Sequence, residues 1–376
     1  MKVVVAIDSL KGSLSSIEAG RAIKKGIQEI FSGAEVIVSP LADGGEGTTD
    51  ALVEGMGGEK IYLTVTGPDG QEVECYYGYI KEQKLAIIEM AMAAGITYLT
   101  AEERNPYTTT TAGVGEMIAD AIKRGCRQFV MGLGGSATND GGTGMLEALG
   151  YEFFNEKGEL MHPTGGNLDE IAQIKGDKVI PELKECNFKA ACDVENPLCG
   201  KNGASYIFGP QKGASSEDCE ILDRKMKSYA QVVARTIGED YENAKGAGAA
   251  GGLGFAALAF LKAELLPGVQ LILDATQLEE KLKDADYAIT GEGRLDAQTA
   301  MGKAPSGVAK LGKKHGCKVI AFAGAIASDA KACHDIGIDA FFPMGRGICT
   351  LEEAMDKENA KRNLQDAVEE VFRLFQ

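Results

Sequence analysis

Residues Met1 to Val38 read MKVVVAIDSLKGSLSSIEAGRAIKKGIQEIFSGAEVIV, and this stretch decides the fold. Val3–Ile7 is a continuous, mostly β-branched apolar run, the pattern of a strand covered on both faces of a parallel sheet. Ser15 and Glu18 stand at capping-box spacing, where a hydroxyl and a carboxylate satisfy two otherwise orphaned N–H groups. Ala19, Ala22, Ile23, Ile27 and Ile30 then recur at helical spacing and give one apolar face. Val36–Val38 is the next strand. Strand, helix, strand is a βαβ start, and so an α/β domain.

The same grammar returns at the other end of the chain. Tyr287–Ile289, Val319–Phe322 and Ala340–Phe342 read as strands with helices between them, and Thr350 and Glu353 cap a final helix carrying Leu364, Val368, Val371 and Leu374. The middle differs. Ile61–Val65 and Val73–Ile80 flank Gly67-Pro68-Asp69-Gly70, a hairpin turn by composition. Leu85–Glu89, Phe129–Gly135, Lys189–Cys192 and Ser205–Phe208 add further short apolar segments. The expectation is an α/β protein with a discontinuous parallel-sheet domain, residues 1–65 plus 275–376. A mixed α/β domain, residues 66–274, is inserted in it, and the Phe129 strand fits either domain.

Composition bounds the function. The chain has 376 residues, a formal net charge of −16 and no basic run, so its field repels nucleic acid and anionic membranes. The 49 glycines are nearly twice the ordinary usage of about 7%, which fits many tight strand-to-helix turns. Nine cysteines, an odd number without a CxxC pair, fit a reducing cytosol better than a disulfide framework. The apolar run at the N-terminus is cut by Asp8, too short for a signal sequence. The reading is therefore a cytoplasmic protein with a small-molecule substrate, no nucleic-acid partner and no membrane, and with homo-oligomerisation left open.

The chemistry concentrates in a few polar, glycine-rich segments. Thr290–Gly307, TGEGRLDAQTAMGKAPSG, follows an apolar strand and reads as a loop and helix start. Backbone N–H groups at Gly291 and Gly293 would approach an anion, with Arg294 and Lys303 to neutralise it. Glu292 and Asp296 are hard oxygen ligands of the kind Mg²⁺ takes beside phosphates. Leu41–Thr48, LADGGEGT, places Asp43 and Glu46 among glycines after a strand; a solvated turn would need neither the second acid nor so many glycines. Asp8 and Lys11 sit at the end of the first strand, where serines alone would suffice for a cap.

Gly132–Gly142, GLGGSATNDGG, contains a superficial dinucleotide fingerprint, but Asp140 and further glycines fall where a helix should begin. It reads better as a backbone nest for an anion at Gly134, Gly135 and Ser136. A second such match, Gly252–Ala257, lacks a preceding strand and fits close helix packing. Asp193 follows an apolar strand and could accept a proton from a substrate hydroxyl, although an Asx-turn explains it nearly as well. Cys192 reads as a small buried residue, Arg104 as an anion contact, and Lys212 as one lysine in another turn. No GxxxxGK[ST], HRD, DFG or GxSxG occurs, which excludes P-loop NTPases, protein kinases and the esterase elbow.

Together DSLKGS, PLADGGEGT, IEMA, RNPYTTTTAGVGE, GLGGSATNDGG, CDVENPL, IFGPQKGA, GAAGGLG and ITGEGRLDAQTAMGKAPSGVA run in order along essentially the whole chain. In this combination they resemble the type I glycerate kinase family, the bacterial glycerate 2-kinases. The resemblance implies ATP- and Mg²⁺-dependent phosphorylation of D-glycerate to 2-phosphoglycerate, a Rossmann-like α/β domain with a second α/β domain, and an active site in a cleft between the two domains. By their residue chemistry Gly134, Gly135, Ser136, Gly291, Glu292, Gly293, Arg294 and Lys303 are expected at the ATP phosphates, and Asp296 at Mg²⁺. Lys11, Arg104 and Asp8 are expected at the glycerate, and Asp193 or Asp43 at its reacting hydroxyl, with Lys11 beside them. A dinucleotide-dependent oxidoreductase and a non-catalytic sugar-acid sensor are the rival readings; the first lacks the strand–turn–helix context, and the second should have lost the acids of the phosphate loop.

Overall fold

The structure is a computed structural model describing residues 1–42, 44, 45 and 47–376. The chain divides into two compact units. Met1–Asp43, Asp50–Gly57 and Val269–Gln376 form the first, and Gly44–Thr49 with Gly58–Gly268 the second.

The first unit is built on five strands in the order Ala340–Pro343, Lys318–Ile326, Tyr287–Leu295, Lys2–Val5 and Glu35–Val38. Every neighbouring pair is parallel. Side chains alternate across such a sheet. Val3, Val5, Ile289, Ile320 and Phe322 join Ile23 and Ile27 of the helix Ser16–Ile30 and Leu364, Val368 and Phe372 of the helix Lys357–Arg373 in one apolar cluster. The opposite face meets the helix Ala304–Lys314, where a Cβ on Gly312 would lie 2.9 and 3.2 Å from Val319 and Ala288. Helices thus cover both faces. The chain fills the sheet on one side of its first strand, then returns to fill the other, so the strand order reverses between Lys2–Val5 and Tyr287–Leu295. Ligands of open α/β sheets bind outside the carboxyl ends of the strands at such a reversal.

Local sequence signals set these elements. Ser15 Oγ accepts from Glu18 N at 3.1 Å while Ser15 N donates to Glu18 Oε2 at 3.0 Å, the expected capping box. Ser15→Ala should cost about 1 kcal/mol in urea unfolding; an unchanged midpoint would mean that packing alone starts this helix.

Two expectations fail here. The strand predicted as Tyr287–Ile289 runs on to Leu295, because Gly291, Glu292, Arg294 and Leu295 stay paired with Phe322, Ala323, Ala325 and Ile326. The glycines of TGEGRL are therefore in a strand, not a turn. The Thr350–Glu353 box caps only a short helix, Leu351–Met355, and Asp356 caps the long final helix through Asn359 N at 2.9 Å.

The second unit holds six strands in the order Glu264–Leu266, Asn187–Ala191, Gln128–Gly132, Leu85–Glu89, Glu72–Ile80 and Glu59–Thr66. The first four are mutually parallel, and the last two add antiparallel. Gln128–Gly132 lies inside this sheet. Glu59–Thr66 pairs with Glu72–Ile80 across the expected hairpin, which carries residues 59–65 into this unit rather than the first; the later changeover falls after Gly268 rather than at 274. A small antiparallel sheet of Leu160–Met161, Glu152–Phe154 and Gln173–Lys175 accompanies it. The short segment Ser205–Phe208 belongs to a helical turn, Ala204–Phe208, since a four-residue apolar run carries no period of its own. Among the described residues no helix is long and apolar enough to cross a membrane.

Candidate active site

In the first unit, parallel pairing persists past the first strand. Ala6 N donates to Ile289 O at 2.8 Å and Asp8 N to Gly291 O at 3.0 Å. This extension carries Asp8 to the carboxyl edge beside Glu292, at the strand-order reversal. A cavity of about 520 Å³ opens there, lined by Asp8, Lys11, Glu292, Gly293, Arg294, Asp296 and Lys303. Leu10, Met344, Leu351 and Met355 give it an apolar wall. Three acids and three bases meet in a chain of net charge −16, so the cavity is close to neutral where the molecule as a whole is anionic.

Glu292 and Asp296 converge on one ammonium, with Lys303 Nζ 3.8 Å from Glu292 Oε2 and 3.9 Å from Asp296 Oδ1. Arg294 Nε lies 3.9 Å from Asp296 Oδ2. Thr299 Oγ1 donates to Glu292 Oε1 at 2.6 Å, and Asp296 Oδ1 accepts from Gln298 N at 2.9 Å as the cap of a helical turn, Ala297–Ala300. Burial pushes the Glu292 carboxyl up, against the Thr299 hydroxyl and the Lys303 ammonium, which pull it down. Gly291 lies in the strand behind this wall and does not line the cavity.

The second unit has its own pocket at the carboxyl ends of its parallel strands, about 220 Å³ and lined by Gly44, Gly134, Gly135, Ser136, Asp193 and Lys212, among others. The strand Gln128–Gly132 feeds directly into the Gly134–Ser136 turn. Gly135 has φ +76°, a left-handed conformation that glycine adopts without a Cβ penalty. Among the described residues the N–H groups of Gly134, Gly135 and Ser136 have no hydrogen-bond acceptor. Asp193 stands two residues past the strand Asn187–Ala191, and its Oδ1 accepts from Gly268 N at 2.9 Å. Among the described residues no donor is bonded to its Oδ2.

The predicted site residues thus fall into two groups. Asp8, Lys11, Glu292, Gly293, Arg294, Asp296 and Lys303 come together in the first unit, and Gly134, Gly135, Ser136 and Asp193 in the second. Arg104 lines neither cavity; its Nη1 donates to Gln211 O at 3.2 Å and steadies the turn that carries Lys212. Asp43 and Glu46 lie outside the described residues. Cys192 donates to Val194 O at 3.2 Å and burial pushes its thiol up, which speaks against a reactive thiolate.

Sequence reasoning passed over two acids and a lysine. Glu89, buried at the end of its strand, accepts from Thr49 N at 2.7 Å and Gly47 N at 3.3 Å; an acid closing an apolar strand was the available signal. Asp140, fully buried, accepts from Thr111 N, Thr111 Oγ1, Gly142 N and Gly144 N between 2.7 and 3.2 Å. It fixes the loop after the Gly134–Ser136 turn. Lys212 is 1% exposed, and a lysine between Gln211 and Gly213 in a turn gives no hint of burial.

A family model described as the glycerate kinase family matches residues 3–376. The chain is 45% identical over 354 residues to the glycerate 2-kinase of Escherichia coli K12, covering 94% of this chain and 93% of that one. It is 44% identical over 367 residues to the glycerate kinase of Halalkalibacterium halodurans, covering 96% and 97%. A crystal structure from Salmonella typhimurium LT2, of a protein provisionally called glycerate kinase 2, superposes with a TM-score of 0.90 at 43% identity, over 100% of this chain and 98% of the other. Motifs, fold and near full-length likeness agree: the chain belongs to the glycerate kinase family.

Proposed function

We propose that the protein transfers the γ-phosphoryl group of ATP to D-glycerate and yields 2-phosphoglycerate. The observation that carries the donor side is the charged cavity at the strand-order reversal of the parallel sheet, with Asp8, Lys11, Glu292, Arg294, Asp296 and Lys303 on its walls. Phosphoryl transfer requires little covalent help from the protein and depends on positioning and charge neutralisation. Arg294, Lys303 and Lys11 are the cations for the phosphates, and the apolar wall at Met344, Leu351 and Met355 suits the base. Lys11 is read with the phosphates because it shares a cavity with Arg294 and Lys303.

Mg²⁺ commonly takes one or two carboxylates and completes its shell with phosphate oxygens and water. Glu292 and Asp296, facing one ammonium, fit that role; among the described residues no group of three or more acids, histidines or cysteines is gathered for an all-protein cage. Held there, Mg²⁺ would neutralise charge on the phosphate oxygens. Asp296→Asn keeps a good helix cap but removes the charge. The apparent Mg²⁺ affinity, read by titrating nucleotide binding, should fall about 10- to 100-fold with little change in thermal stability. Unchanged Mg²⁺ dependence would remove Asp296 from the metal site.

The smaller pocket suits the acceptor. Glycerate would lie with its carboxylate on the Gly134–Ser136 turn and its 2-hydroxyl toward Asp193, which accepts the proton as that oxygen bonds to the γ-phosphorus and the bond to the β-phosphate oxygen breaks. This reading groups Gly134–Ser136 with the acceptor, because Asp193 shares their pocket. The decisive assay follows ADP release with ATP, Mg²⁺ and D-glycerate, then supplies the product to enolase with and without phosphoglycerate mutase. Turnover read by enolase alone supports the 2-position. A requirement for mutase would place the phosphate on the 3-hydroxyl, and no ADP release would overturn the activity.

A further inference from the structure

Lys212 is the most buried lysine in reach of either pocket, 1% exposed, and among the described residues no carboxylate is paired with it. Its Nζ donates to Ser136 Oγ at 2.8 Å and to Thr138 O at 2.6 Å. Asp140 acts on it only through space, and its oxygens are already occupied by four donors of the protein. Burying a cation without a direct counter-ion is costly, and here burial lowers the Lys212 pKa to about 7. A fold that needed only to tie two turns together could use a neutral side chain.

The hydrogen-bond chemistry of Ser136 gives the cation a use. In its protonated form Lys212 has donors and no lone pair, and in that form Ser136 Oγ accepts from it. The hydroxyl proton is then directed elsewhere, and among the described residues no acceptor receives it. Ser136 lines the pocket, and the N–H groups of Gly134, Gly135 and Ser136 stand unpaired in the same turn.

We propose that Lys212 is a positioning residue that fixes the Ser136 hydroxyl as a donor to a ligand oxyanion, completing a cradle formed with the three consecutive N–H groups of Gly134–Ser136. Successive backbone N–H groups in this conformation form an anion-binding concavity, and hydrogen bonds to a charged oxygen are about twice as strong as neutral ones. The inference rests on the kinase reading for the identity of the oxyanion. A carboxylate of glycerate and a phosphoryl oxygen of the nucleotide share the chemistry, and the test separates them.

The full-length protein and its Lys212→Met, Lys212→Arg and Ser136→Ala variants would be compared for kcat, for KM with D-glycerate and with MgATP, and for binding of D-glycerate and its uncharged amide by calorimetry. Loss of a charge-assisted hydrogen bond predicts a rise of about 10- to 100-fold in one KM for Lys212→Met, with a smaller change in kcat and partial rescue by Lys212→Arg. A rise confined to glycerate, with loss of the preference for glycerate over its amide, identifies the carboxylate. A rise confined to MgATP identifies the phosphoryl oxygen and equally supports the cradle. Ser136→Ala should move the same parameter, and the double variant should lose less than the two singles combined. Should Lys212→Met fail to fold, Ser136→Ala carries the test, since it leaves the Lys212 bond to Thr138 O intact. Folded variants with both KM values and the discrimination unchanged would overturn the proposal. Absence of glycerate turnover in the unmodified protein would instead refute the kinase reading, while calorimetry would still report whether the cradle binds the acid.

Discussion

Asp193→Asn is expected to lower kcat by about 10²- to 10⁴-fold, the range supplied by a positioned general base, with a much smaller effect on the KM for MgATP. The asparagine Oδ1 can still accept from Gly268 N, the bond that holds Asp193 at 2.9 Å, so the side chain should keep its place. What it loses is the oxygen able to take the proton of the substrate hydroxyl. Because the substitution is nearly isosteric and the residue is exposed, the melting temperature should move little. Steady-state kinetics beside a thermal scan would check both halves. A folded variant with near-normal kcat would remove Asp193 from the reaction and turn attention to Asp43.

Gly291→Ala should destabilise the first unit by about 3 kcal/mol, at the upper end of the cost of overpacking. A Cβ at this position would lie 1.8 Å from Phe322 O and 3.1 Å from Ile7 Cδ1. The first contact is with backbone, which no rotamer change can relieve. The φ of +154° adds to the strain. Movement of the neighbouring strand would break the parallel pairing of Gly291 with Phe322, which carries Glu292 and Arg294 into the cavity. Chemical unfolding and a thermal scan read the effect; a variant as stable as the parent would show that the two strands can part here without penalty. Gly291 therefore supports the site without entering it.

The two ends of the chain were the legible part of the fold. Val3–Ile7, the Ser15–Glu18 box and the apolar face at Ala19, Ile23 and Ile27 are local signals, and local hydrogen bonding and burial realise them directly. TGEGRL was misread because glycine composition resembles a turn, whereas the strand continues through backbone pairing with Phe322–Ile326 some thirty residues on, a partner that composition does not reveal. Asp8, Lys11, Glu292, Arg294, Asp296 and Lys303 were each picked out by residue chemistry. Their common cavity depends on strand order, which is a property of the folded sheet. Lys212 was left undecided between a site and a plain turn for a similar reason: only the tertiary approach of its turn to Ser136 and Thr138 buries it.

The continuation of Tyr287–Leu295 as a strand has a consequence for how this protein can change over time. Loops at a binding site tolerate insertions and deletions, and new specificities commonly arise by altering their length. Here two of the charged groups, Glu292 and Arg294, are spaced by the pleat, about 7 Å apart along one face, and a one-residue slip would send both to the opposite face. Variation at this wall is therefore confined to exchange of one side chain for another, in fixed reading frame. Lineages built on this scaffold should diversify the cavity by substitution and accumulate length changes elsewhere.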